Sequence, residues 1–204
     1  MFETEYLWPE PGRTFFQSTR TRPDAYTWNC ASLGEYAYMY RESAEKLIEL
    51  ACNAPGLLNV HAIPAVYLFR HSVELSLKDM LVDAGILNNG PGSFREVHGL
   101  LNLWRELRKL MTTAGLGKSE DLTVVESMIH ELDVADPDSM SFRYPCDRQA
   151  AGGQRLLSAA FEYFDMRAFR DQAQRLSNFI DGCGTQLSEY VRIMREMESE
   201  YAPE

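Results

Sequence analysis

HAIPAVYLFRHSVELSLKDMLVDAG, residues 61–85, carries apolar side chains on nearly every side of a helix. A helix of that kind belongs in the middle of a bundle, because no single face of it suits water. Pro64 fits a first turn, where a missing N–H costs nothing, and Gly85 supplies a stop, so the segment predicts a helix over about 61–84. Its polar residues fall in two arcs at about 100° per residue. Ser72, Ser76 and Asp79 form one arc; Arg70, His71, Glu74 and Lys78 form the other. Arg70–Glu74 and Glu74–Lys78 are both spaced i,i+4. The charged arc therefore has two readings. It is a solvent face with two weak surface ion pairs, or it is a buried cluster whose charges must be paired.

Working outward, residues 24–52 repeat apolar positions in steps of three and four (Tyr26, Cys30, Leu33, Ala37, Tyr40, Ala44, Leu47, Ile48, Ala51), the period of an amphipathic helix. A third helix is expected from near Val97 to Thr113, and a fourth from Ser119, whose hydroxyl suits a cap. Residues 133–147 read as a loop. Asp165 caps a long last helix reaching about Tyr201, in which Gly182 and Gly184 mark either a break or a close helix contact. The first 23 residues hold three prolines and five large aromatics, which predicts an irregular arm packed on the body. Gly152-Gly153 suits the turn of a short hairpin at 148–164. The expected fold is all-α: an up-and-down bundle of four to five helices in one domain, residues 24–204.

The 204-residue chain has a formal charge of −10, which argues against sequence-specific DNA binding, since that needs a basic face. No apolar run approaches the roughly 20 residues that span a bilayer, and the first residues lack the pattern of a secretion signal, so a cytoplasmic protein is expected. Cys30, Cys52, Cys146 and Cys183 are scattered, and no Cys/His pair has the spacing of metal ligands. No phosphate-binding, dinucleotide or hydrolase motif occurs, and no cofactor is expected.

Two further segments carry candidate chemistry. His98-Gly99-Leu100 opens the third helix; its imidazole is either a structural donor or a group able to change charge near neutral pH. Ser141-Phe142-Arg143-Tyr144-Pro145 sets an arginine between two aromatics. Arginine makes planar contacts to anions and tyrosine offers a stacking face. The alternative is a plug, with Phe142 and Tyr144 in the core and Arg143 paired with Glu74 or another acid.

FRHSVELSLKDML (69–81), HGLLNLW (98–104) and SFRYP (141–145), in that order, resemble the HEPN superfamily. The likeness is to bacterial HEPN-like proteins with an R-H/Q-x-x-E-L-x-L-K helix, an H-x-L helix start, an F-R-Y-P loop and a final D-[LM]-R helix, here Asp165-Met166-Arg167. It covers roughly residues 60–200. The resemblance implies a helical bundle, dimerisation through helix faces, and binding of nucleotides or RNA in toxin–antitoxin or phage-defence systems. Ribonucleases of that superfamily carry an Arg separated from a His by four to six intervening residues. His61, His71, His98 and His130 all lack one. The expected ligand-binding set is Arg70, His71, Glu74, Lys78, His98, Arg143 and Tyr144, with His71, His98 and Glu74 as candidates for proton transfer. The competing expectation is a non-catalytic structural module: a buried polar network fixes helix register, and a homodimer or another protein is the partner.

Overall fold

The structure, a computed structural model, describes residues 32–54, 56, 58–116, 119–146, 161 and 163–200. The expected N-terminal arm and nearly all of the expected hairpin at 148–164 lie outside these residues. Among the described residues the fold is all-α, with five helices: α1 (Leu33–Asn53), α2 (Leu58–Leu87), α3 (Leu100–Thr113), α4 (Ser119–Ala135) and α5 (Met166–Glu200).

Helix α1 begins at Leu33, where Ser32 and Glu35 form a reciprocal capping box; residues 24–31 of the helix expected over 24–52 lie outside the described residues. Ser32 Oγ accepts the Glu35 N–H at 3.1 Å, and Glu35 returns a carboxylate to the Ser32 N–H at 3.2 Å. Asp79, on α2, also accepts a backbone N–H from Gly34. Burial, reinforced by Asp83, pushes its carboxyl above the usual range. At the other end of the bundle Asp165 caps α5 as expected, its Oδ1 accepting the N–H groups of Arg167 and Ala168.

Helix α2 is longer than expected at both ends. Pro64 therefore sits beyond the first turn, and Gly85 does not stop the helix. The stop comes from Asn88 to Gly90: Asn89 takes φ +57°, and the Gly90 N–H returns to the Gly85 carbonyl at 2.8 Å. Gly85 instead admits a close backbone. A Cβ there would meet Gly92 Cα at 3.4 Å. The chain thus runs back along α2 from Gly92 to His98 before α3 begins. Lys78 lies over the Phe94 ring, and Arg70 meets the His98 carbonyl further down.

The contacts also fix the helix directions. Cys52 packs with Ala62 while Tyr40 meets His71, so α1 and α2 are antiparallel. Phe169 meets Phe69, and Ser188 donates to Asp83, so α5 runs parallel to α2. The returning strand of chain makes α3 parallel to α2 as well, while α3 and α4 pair antiparallel through Arg108–Glu126 and Leu101–Asp133. Helix α2 contacts α1, α3 and α5, the central place its composition requires. One apolar cluster joins Phe69, Val73, Leu77 and Leu81 of α2 to Leu103, Trp104 and Leu107 of α3, Ile129 of α4 and Leu176 of α5. Gly182 and Gly184 do not interrupt α5; Gly184 faces the Met80 side chain, where a Cβ would lie 3.8 Å away, an ordinary contact. No described helix is long and apolar enough to cross a membrane.

Leu77 is fully buried at this junction, so Leu77→Ala should cost about 2–5 kcal/mol in denaturant unfolding. Ser32→Ala should cost only about 1 kcal/mol, through the lost cap.

Candidate functional site

The charged arc of α2 is buried. Arg70 is 0% exposed, Glu74 1% and Lys78 7%. The arginine is answered on every side. Nη1 donates to Glu74 Oε2 at 2.7 Å, Nη2 to the His98 carbonyl at 2.5 Å, and Nε to the Asp136 carbonyl at 3.1 Å. The Asp136 carboxylate lies 3.4 Å from Nε. Glu74 Oε1 takes Lys78 Nζ at 2.8 Å and faces His98 Nδ1 at 3.0 Å. Burial alone would raise the Glu74 carboxyl; hydrogen bonds from Lys78, Arg70 and His98 outweigh it and hold the group below the usual carboxylate range.

Two segments therefore converge on the charged arc of α2: His98, just ahead of α3, and Asp136, the residue after α4. Asp136 is the partner that sequence reasoning missed. Its position in Asp136-Pro137 signalled a turn, and it does organise one: Oδ1 accepts the N–H groups of Met140 and Ser141, both at 2.7 Å. Its pairing with a residue 66 positions away left no local trace.

Arg143 does not join this cluster. Phe142 plugs the core beside Val66 and Ala135, while Arg143 and Tyr144 are exposed. The alternative in which Tyr144 is buried and Arg143 pairs with Glu74 is thus not what forms, because Lys78, Arg70 and His98 already fill both Glu74 oxygens. The Arg143 guanidinium lies 5.5 Å from the Tyr144 ring centroid and 6.0 Å from that of Tyr67. Tyr67 stacks parallel to His71 at 6.1 Å, and His71 meets the edge of Tyr40 at 4.6 Å. Arg143, Tyr144, Tyr67, His71 and Tyr40 form one continuous run of planar groups from the loop across α2 to α1. Tyr40 was legible only as a stripe residue of the first helix, and Tyr67 only as one of the apolar residues that surround the second.

The three proton-transfer candidates differ in reach. Glu74 is enclosed and committed to three donors. His71 is wedged between tyrosines; burial lowers its pKa most, Glu74 works against that, and Arg70, Lys78 and His98 add to it. His98 is 63% exposed along its side chain. A carboxylate can only accept, so Nδ1 donates to Glu74 and Nε2 points away from it. Among the described residues no group of His, Cys, Asp and Glu could hold a metal ion. Comparison with family models, with curated proteins and with solved structures finds no match.

Removing the Glu74 carboxylate should cost about 3–5 kcal/mol in Glu74→Ala, since Nη1 of Arg70 and the buried Lys78 ammonium both lose their partner, whereas His98→Ala at the exposed rim should cost under about 1 kcal/mol. Folding lowers the pKa of His71 from 6.5 and of Glu74 from 4.5, so the unfolded chain binds more protons as acid is added. Stability should be complete above 6.5, decline as His71 is forced to charge, and decline again below 4.5 as Glu74 is protonated. Denaturation midpoints followed from about pH 7 to about pH 5 should fall less steeply in His71→Asn.

Proposed function

We propose that this chain is a HEPN-like protein that binds nucleotides or single-stranded RNA on the surface led by Arg143 and Tyr144, as a component of a toxin–antitoxin or phage-defence system. The supporting observation is the exposed guanidinium set between two tyrosine rings on a loop anchored by buried Asp136 and Phe142. Such a group offers N–H donors at its edge for phosphate and a flat face for a base. Stacking tolerates any base, which suits binding without sequence readout. The acidic chain supplies little long-range attraction, so affinity rests on these close contacts. Arg70, Glu74 and Lys78 serve as the buried footing of the surface rather than as ligand contacts. The HEPN assignment rests on the three sequence segments, and the absent Arg-x4–6-His signature supports binding over ribonuclease chemistry.

A second reading is favoured by one observation. The end of α5 carries Tyr190, Ile193 and Met197 exposed, an apolar stripe suited to a homodimer or another protein. On this reading the buried network only fixes helix register.

Binding of a fluorescent single-stranded RNA decides between them. Arg143→Ala and Tyr144→Ala should each weaken affinity at least about fivefold, the lower end expected for losing one stacked base. Arg143→Lys should restore little, since the charge returns without the plane. Unchanged affinity in Arg143→Ala defeats the binding reading.

A further inference from the structure

On the inner side of the same loop lies a cleft of about 320 Å³, between α2, α4 and the start of α5. Phe69, Phe142, Phe161, Phe164 and Phe169 form its aromatic walls. Phe169 meets Phe69 edge-on at 5.6 Å and Phe164 at 6.1 Å, so the rings hold one another in place without a ligand. The volume suits a small organic molecule. The polar groups along it are Glu131, Asp165 and Gln172, and no lysine or arginine lines it among the described residues. Glu131 has no ion pair with any described residue. Apolar walls alone would accept any apolar body. The acids select among heads: they repel a carboxylate or phosphate and attract a cation, and ring faces attract the same cation through their quadrupoles.

We infer that this cleft is a binding site for a lipophilic organic cation, an apolar or aromatic body carrying an ammonium head. This goes beyond nucleotide binding and uses different side chains: Phe142 points inward to the cleft, while Arg143 and Tyr144 stand exposed. The body occupies the phenylalanine walls, and the head lies at the rim between Glu131 and Asp165.

Three probes of similar size test it on the full chain by proton NMR titration: phenyltrimethylammonium, its neutral isostere tert-butylbenzene, and phenylacetate. Phenyltrimethylammonium should bind about tenfold more tightly than tert-butylbenzene, and phenylacetate most weakly. Gln172 is exposed on α5, so Gln172→Lys should leave helicity intact while weakening the cation about tenfold and leaving tert-butylbenzene unchanged. Glu131→Gln should weaken the cation in the same direction. Equal affinity for cation and isostere, tighter binding of phenylacetate, no binding of any probe, or cation affinity unmoved by Gln172→Lys would each overturn the assignment. RNA affinity does not enter these measurements, so failure here is separable from failure at Arg143.

Discussion

A guanidinium with no access to water must find its partners inside the protein, and Arg70 imposes that requirement on the whole bundle. Its answers come from Glu74 on the following turn of its own helix, from His98 just ahead of α3 and from Asp136 just after α4. Helix α3 must therefore begin beside the middle of α2, and the chain from Gly92 to His98 has to run back to reach that point. Gly85 and Gly92 make the return possible by letting two backbones touch. Apolar burial supplies most of the stabilisation, but any compact packing would supply it; the charge cluster is what distinguishes this arrangement from its neighbours in register.

The parts of the fold governed by local rules were legible. Apolar periodicity marked every helix, and Asp165 announced the start of α5. The capping box at Ser32 and Glu35 was equally readable from Ser32 and the Glu three residues on. A three-to-four step shows where a helix would be amphipathic; a cap shows where the backbone begins one. Helix-stop signals were less reliable, because a glycine serves close approach as readily as termination. Gly85 does the first, and the αL residue Asn89 does the second.

The charged cluster was legible in part: its α2 members and His98 could be named, while Asp136 could not and Arg143 was placed with them. Arg70, Glu74 and Lys78 do meet on the central helix, and His98 joins them from the chain ahead of α3. Arg143 and Tyr144 remain outside, on a surface that also recruits Tyr40 and Tyr67. Side-chain type could not separate these groups. The deciding quantity was acceptor capacity: two oxygens on Glu74 take three donors from nearby, and Arg143 finds its place against aromatic faces instead. Asp136 was invisible for a different reason, since pairing across 66 residues depends on how α4 packs rather than on any spacing.

The turn that follows α4 has a fixed root and a free tip. Asp136 holds the root from beneath through Arg70 and from above through two backbone N–H groups, and Phe142 pins the far side. Residues 143 and 144 carry none of that burden. Mutational drift should consequently be uneven over a span of nine residues: Asp136 and Phe142 frozen by foldability, Arg143 and Tyr144 open to exchange for whatever a changing binding target rewards. A bundle built this way can acquire a new specificity without renegotiating its interior.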